Sequence, residues 1–328
     1  MPSTPIRIVT IGGGSGQYAL LSGLRDVNNT IISAVVSMMD SGGSTGRLRD
    51  ELGTLPPGDV LKCLIALSPH RDLMRSILQK RFQQERRLRG HTAGNILLTM
   101  LSNYTGNFIG GIRAMAEIMA VKGDILPVTI DKATLVAELT DGSRIYGEGA
   151  IDEPRGDQRK KISDVFLVPH HSDAISVYPP VIDAIRSASF IIMGPGDLYT
   201  SIIPNLIVPG LKEALRQSEA PLIFIINIMT KYGETFQFKA SDFVKKLEEF
   251  AGRPIDIIIY NNRRPESRVM ALYANQKAEF VTIDDTLPVW QNYKVISGDL
   301  VEYSENIIRH DSSKLSNVIQ QIIKGDHQ

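Results

Sequence analysis

Ile6-Arg7-Ile8-Val9-Thr10-Ile11-Gly12-Gly13-Gly14-Ser15-Gly16 is a short apolar run that empties into a glycine cluster. An amphipathic run, Tyr18-Ala19-Leu20-Leu21-Ser22-Gly23-Leu24, follows at once. That order predicts strand, tight turn and helix. Glycine lets the backbone take φ > 0 and lets a ligand come close. The helix start adds unpaired N–H groups and a partial positive charge, which together suit phosphate. The spacing departs from G-x-G-x-x-G, because Gln17 stands where the third glycine would be. A turn that binds nothing is the competing interpretation.

With 328 residues, 43% of them hydrophobic, the chain can bury one large core or two smaller ones. Its 36 Lys+Arg balance 36 Asp+Glu, so no net field steers it toward nucleic acid or an anionic membrane. Arg86-Arg87-Leu88-Arg89 and Arg159-Lys160-Lys161 read as solvated faces. Cys63, alone in an apolar run, reads as a buried inert thiol. The longest apolar runs, such as Leu222-Ile223-Phe224-Ile225-Ile226, fall short of the roughly 20 residues that span a bilayer. The first residues lack a signal-peptide pattern. The expectation is a soluble, cytoplasmic protein that neither enters membranes nor binds nucleic acid.

Runs rich in β-branched residues at 6–11, 31–36, 189–193, 222–226 and 255–259 alternate with helical stretches. They predict an open parallel α/β sheet covered on both faces. From about 55 to 122 the apolar spacing is helical and no strand is expected. From 134 to 167 the period changes to two around the turn Asp141-Gly142, which predicts a small antiparallel hairpin insertion within about 130–170. Pro179-Pro180 starts a further helix, and Ser312 or Ser313 caps a closing one. The whole, residues 1–328, reads as one α/β domain.

In such sheets ligands bind beyond the carboxyl ends of the strands, where strand order reverses. The predicted exits are chemically consistent. The first is Gly12-Gly13-Gly14-Ser15-Gly16. The second is Asp40-Ser41-Gly42-Gly43-Ser44-Thr45-Gly46-Arg47. A third is Gly194-Pro195-Gly196-Asp197-Leu198-Tyr199-Thr200-Ser201, and a fourth Asn227-Ile228-Met229-Thr230-Lys231. Three glycine-bearing loops side by side would cup one diphosphate. Asp40 could accept a ribose hydroxyl, bind Mg²⁺ beside phosphates, or only close an Asx-turn. The loop after it supplies consecutive N–H groups, hydroxyls and the Arg47 guanidinium, equipment for an oxyanion. In His91-Thr92-Ala93-Gly94-Asn95, Thr92 can cap a helix, or His91 and Asn95 can face the crevice. His170-His171 lack a third ligand at metal spacing and read as surface loop.

Taken together, these loops resemble the gluconeogenesis-factor (YvcK-like) family within the CofD-like fold. Its hallmarks are GGGTG, DDGGSSGRLRDELG, PPGD, HSLGN, GPGSLYTSILPNL and MTQPGET. Here they stand in order as Gly12 to Gly16, Asp40 to Gly53, Pro56-Pro57-Gly58-Asp59, His91 to Asn95, Gly194 to Leu206 and Met229-Thr230-Lys231-Tyr232-Gly233-Glu234-Thr235. The resemblance implies a Rossmann-like nucleotide-binding core. It also implies a cytoplasmic protein that binds UDP-sugars such as UDP-N-acetylglucosamine and supports cell shape and wall synthesis during gluconeogenic growth. No reaction is established for that group. The related CofD enzymes transfer a phospholactyl group from a guanylylated donor to a deazaflavin, with Mg²⁺. This chain departs from the pattern at Ser41 (usually a second aspartate), Asp197 (usually serine) and Lys231-Tyr232 (usually Gln-Pro).

Two functions follow as expectations: a nucleotide-sugar-binding regulator, or a CofD-like transferase with Asp40 and Asp59 as catalytic groups on Mg²⁺. A nicotinamide-dependent dehydrogenase rests on the fold pattern alone. Beyond that Mg²⁺, no cofactor is expected. The binding set comprises Gly12, Gly13, Gly14, Ser15 and Gly16 of the first loop, and Asp40, Ser41, Gly42, Gly43, Ser44, Thr45 and Arg47 of the second. His91 and Asn95 join it, as do Gly194, Gly196, Asp197, Tyr199 and Thr200 of the third loop and Asn227, Thr230 and Lys231 of the fourth. Expected partners are a nucleotide ligand, a second copy of the chain and a cell-wall or morphogenesis protein.

Overall fold

Strands with Ile, Val and Phe pointing both ways need helices above and below, and that requirement sets the architecture. The computed structural model describes residues 4–84, 88–154, 156, 159–170, 174–283, 287–304 and 307–325. Its strands are β1 (Ile6–Gly12), β2 (Thr30–Val36), β3 (Asp124–Pro127), β4 (Ala133–Leu139), β5 (Arg144–Tyr146) and β6 (Ile162–Pro169). They continue as β7 (Phe190–Met193), β8 (Leu222–Ile225), β9 (Ile257–Asn261), β10 (Lys294–Gly298), β11 (Val301–Ser304) and β12 (Ile307–His310). The main sheet runs β10-β9-β8-β7-β1-β2-β3, and each neighbouring pair is parallel. The chain builds outward from β1 to β3 on one side and from β7 to β10 on the other. Strand order therefore reverses between β1 and β7. The fold is a Rossmann-like open α/β sheet with helices and small antiparallel pieces.

The expected interior strands are present, and both edges extend further than the sequence predicts. Edge strand β3 has only four residues and ends in Pro127, and β10 is mostly exposed along its length. Neither carries the run of apolar residues that marks an interior strand. The 55–122 stretch holds the helices Gly58–Leu67, Arg71–Leu78, Ala93–Thr105 and Phe108–Ile118. Thr92 caps the third, its hydroxyl accepting from Asn95 N–H at 3.2 Å.

The antiparallel insertion turns at Asp141-Gly142, where Gly142 takes φ +82°. It gains a third strand, β6 on β4, and a short helix, Glu148–Asp152. The closing helix Ser312–Lys324 is capped by Asp311 rather than Ser312 or Ser313. A carboxylate oxygen there accepts both Ser313 N–H at 2.8 Å and Lys314 N–H at 3.0 Å, which a hydroxyl does less well.

Leu20, Leu21 and Leu24 of the helix Gly14–Leu24 are fully buried, each contributing about 1.5–3 kcal/mol. Gln17, the residue that breaks the glycine fingerprint, is buried too. Its amide donates to Thr10 Oγ1 and to Val35 O, both at 3.1 Å, and so staples β1 to β2. Cys63 is buried, and burial pushes its thiol pKa up.

One basic cluster needs correction. Lys160 and Lys161 are exposed, but Arg159 turns inward and donates to the carbonyls of Ala150 and Ile151 at 3.2 and 2.8 Å. Arg86, Arg87 and His171 lie outside the described residues. His170 is exposed and hydrogen-bonded through Nε2 to Thr134 at 2.7 Å. No described helix is long and apolar enough to cross a membrane.

Candidate functional site

Because β1 and β7 are neighbours, the first and third glycine loops leave the sheet side by side. At Gly16 a Cβ would lie 2.1 Å from Pro195 O, so only glycine lets the two loops touch. Gly14, at φ +65°, turns the chain from β1 into its helix. Above them opens a cavity of about 880 Å³, within the size range of ligand pockets. Gly13, Gly14, Ser15 and Gly16 line one part of it, and Gly196 and Asp197 another. Asn227, Thr230 and Lys231 arrive from the exit of β8, and Asp40 and Asp59 from the opposite bank.

Several expected residues sit elsewhere. Gly12 is the last residue of β1, and its carbonyl accepts from Ser37 N–H and the Asn205 amide. Gly194 makes the turn after β7 at φ +74°. Tyr199 is core, 1% exposed, and Thr200 points beneath the surface to Glu234 Oε1 at 3.1 Å. Both belong to a π-helical turn, Leu198–Ile202, whose geometry the spacing alone did not reveal.

The second loop adjoins the large cavity through Asp40 but turns its remaining residues aside. Asp40 does close an Asx-turn, its Oδ1 accepting Gly42 N–H at 2.9 Å. Ser41 faces the insertion: its N–H donates to Glu148 Oε2 at 3.3 Å, and its hydroxyl accepts Gly149 N–H at 2.9 Å. His91 Nδ1 and Asn95 Nδ2 meet Ser44 Oγ at 3.0 and 3.2 Å, so they brace this loop from behind. Arg47 donates to Arg89 O at 2.7 Å and lines neither cavity. Gly42, Gly43, Ser44, Thr45 and Asn95 line a second, smaller cavity instead.

Two clusters of charge line the large cavity, joined by the helix that carries Glu148 and Asp152. On one bank Lys231 Nζ is bonded to Asp152 Oδ1, to Asp197 Oδ2 at 2.8 Å and to Glu234 Oε1 at 3.5 Å. Burial is the main force raising the Glu234 carboxyl, with Asp197 adding to it, while the neighbouring carboxylates raise Lys231. On the other bank Asp59 Oδ1 holds Lys62 at 2.9 Å. Among the described residues neither Asp40 nor Glu148 forms an ion pair with a cation. Burial and then Asp59 push Asp40 up, and burial and then Asp40 push Glu148 up to about 8.

Glu148, Asp152, Lys62, Tyr273, Arg309 and His310 also line the cavity and were missing from the expected set. Glu148 and Asp152 ride on the short insertion helix, too brief to show a period. Ile308 and His310 are buried while Ile307 is exposed, an alternation that the run Ile307-Ile308-Arg309-His310 does not show in its residue types. Burial lowers His310 to about 4, and one ring nitrogen bonds the Ile226 carbonyl. Its Nε2 and Asn227 Oδ1 are buried without a hydrogen-bond partner among the described residues. In that tautomer both are acceptors, so both call for a donor.

A family model described as 2-phospho-L-lactate transferase CofD matches residues 8–301. A putative gluconeogenesis factor of Thermotoga maritima is 39% identical over 97% of this chain and 99% of its own. The gluconeogenesis factor of Bacillus subtilis is 37% identical over 97% of this chain and 98% of its own. A crystal structure of a Bacillus halodurans protein superposes with TM-score 0.89 at 38% identity, covering 96% of this chain and 99% of that one.

The chain belongs to the CofD family, among the gluconeogenesis factors.

Two of its departures from the gluconeogenesis-factor pattern now explain each other. Asp197 and Lys231 form an ion pair at 2.8 Å, so the acidic residue brings its own counter-charge to the cavity. The third departure, Ser41, leaves Asp40 and Asp59 as the carboxylates beside the first loop. Asp40, Asp59 and Glu148 offer hard oxygen ligands, and burial, then repulsion from a neighbouring carboxylate, raises Asp40 and Glu148. Among the described residues, however, these three do not form a group whose ligand atoms all lie within 4.8 Å of one another. On the opposite bank the ligand atoms of Asp152, Asp197 and Glu234 lie within 4.8 Å of one another, but Lys231 already supplies the positive charge.

Proposed function

We propose that this protein binds a nucleotide-sugar, a UDP-sugar such as UDP-N-acetylglucosamine, in the large cavity and acts as a regulator rather than by turnover. The observation that carries this reading is the contact of the two glycine loops at the switch point, under a cavity of about 880 Å³. A diphosphate would rest on the N–H groups of Gly13 to Gly16 and Gly196. Asn227 Oδ1 and His310 Nε2, both lacking a partner, would take the N–H or hydroxyl donors of base or ribose. The proposal extends to a cytoplasmic role in cell shape and wall synthesis during gluconeogenic growth, with a second copy and a morphogenesis protein as partners. The test is thermal stability with ligand. UDP-N-acetylglucosamine at 100 times its Kd should stabilise by about 2.7 kcal/mol. No shift with any UDP-sugar at millimolar concentration, Mg²⁺ present, would defeat the reading.

One observation favours a second reading, a CofD-like transferase that moves a phosphorylated group from a nucleotide donor. Asp40, Asp59 and Glu148 line the same cavity and repel one another, and Mg²⁺ would relieve that repulsion and neutralise charge on a transferring group. In this reading Asp40 and Asp59 hold the cation and Lys62 orients Asp59. Asp40→Asn keeps the Asx-turn but halves the ligand pair. It should abolish Mg²⁺-dependent turnover and leave nucleotide binding without Mg²⁺ nearly unchanged. A variant with full turnover would remove Asp40 from that role.

A further inference from the structure

Next to the large cavity lies a second one, of about 380 Å³, whose lining is of opposite character. Lys62, Arg75, Arg81 and Arg309 face it, against the single carboxylate Asp40. Lys62 is committed to Asp59, which does not line this cavity. Arg75 lies over the Tyr18 ring at 5.5 Å, and Arg81 gives one nitrogen to Gly90 O at 2.7 Å. Among the described residues none of Arg75, Arg81 and Arg309 has a carboxylate partner. Neutral groups complete the lining: the Ser44 and Thr45 hydroxyls, buried at 4% and 5% exposure, and the Asn95 amide that bonds Ser44.

We propose that this cavity is a second ligand site, for a small phosphomonoester held at the same time as a nucleotide in the large cavity. The charge excess calls for an anion. The donors, two or more guanidinium forks, exceed what the two oxygens of a carboxylate can use and match the three terminal oxygens of a phosphomonoester, while Ser44, Thr45 and Asn95 bond one another and shape the wall. The volume sits near the low end for ligand pockets, so it takes a small organic body and not a second nucleoside diphosphate. Ser15, Asp40, Lys62 and Arg309 line both cavities and form the wall between them. The second glycine loop thus serves its own anion, and the earlier expectation that all three loops cup one diphosphate gives way to two adjacent sites.

The test is calorimetric titration of the full chain with inorganic phosphate and with glycerol 3-phosphate, against succinate and glycerol at equal ionic strength. The phosphates should bind saturably, and saturating UDP-N-acetylglucosamine should not displace them. Arg75→Ala with Arg81→Ala should weaken glycerol 3-phosphate tenfold or more. The single Arg75→Glu variant, at an exposed position, carries the test if the double variant unfolds. Phosphate binding that survives these changes, that nucleotide displaces one for one, or that succinate matches would overturn the proposal, as would no saturable binding. Failure of the nucleotide itself to bind leaves the phosphate arms to decide on their own.

Discussion

The two banks of the large cavity solve the same electrostatic problem differently. Asp152, Asp197 and Glu234 surround Lys231, so one ammonium answers three carboxylates at once. In the second cluster Lys62 answers Asp59 alone, and Asp40 and Glu148, like Glu234 in the first, shift toward their protonated forms. Each bank sets one ammonium against three carboxylates, but Lys231 touches all three of its own and Lys62 touches one. Buried charge tolerates either solution only because paired groups or proton uptake avoid a bare ion. The difference suggests which bank is scaffold and which is open to chemistry.

The harshest way to break the comparison is to force the loops apart. Gly16→Ala puts a methyl 2.1 Å from the Pro195 carbonyl, backbone that cannot swing aside. It should cost more than about 3 kcal/mol in urea unfolding and abolish nucleotide binding. A variant within 1 kcal/mol of the parent, on that same rough scale, would mean the loops are not in contact.

Removing one lysine from each bank sharpens the contrast. Lys231→Met leaves three carboxylates together and should cost about 3 kcal/mol at pH 8, the low end for a broken buried pair because Asp152 and Asp197 keep some contact with water. Millimolar Mg²⁺ or Ca²⁺ should restore part of the loss. Lys62→Met should cost about 1 kcal/mol, as expected for one partly exposed pair. Equal losses, measured by chemical denaturation, would erase the distinction between scaffold and open bank.

The gentlest probe is pH. Glu148, near 8 in the fold against an ordinary 4.5, holds a proton that the unfolded chain has released. Glu234 is shifted in the same direction. Stability contributed this way is complete below about 4.5 and is lost as pH rises through 8. His310, depressed to about 4 from 6.5, acts oppositely and adds stability as pH rises between those values. Above pH 6.5, where the histidine no longer contributes slope, the carboxyls alone should make stability fall. Glu148→Gln should flatten that fall in melting curves taken from pH 6.5 to 8.5. An unchanged slope would show that Glu148 is already ionised.

Much of this molecule was legible before any coordinates. The interior strands announced themselves by unbroken apolar runs, the hairpin by Asp141-Gly142, and the first and third loops by glycine at strand exits. Edge strands β3 and β10 were illegible because half-exposed strands need no apolar run. Tyr199 and Thr200 misled because what reads as a loop at a strand exit closes into a π-helical turn that buries both side chains. Arg47, His91 and Asn95 carry the right chemistry but spend it on neighbouring backbone and hydroxyls. Glu148, Asp152 and His310 gave almost no local signal, since nothing nearby in sequence fixes where an insertion or a terminal hairpin will dock.

Local sequence determined which segments become strands, where each one ends and what chemistry waits at its end, because periodicity and glycine act over a few residues. It also determined membership in the CofD family, through motifs that survive in order. Only the tertiary structure decided which exits share a cavity. It paired Asp197 with Lys231, turned the second glycine loop onto a separate cationic cavity and brought the insertion and the C-terminal hairpin to the rim. Those outcomes depend on strand order and on contacts between residues far apart in the chain, and no local pattern encodes them.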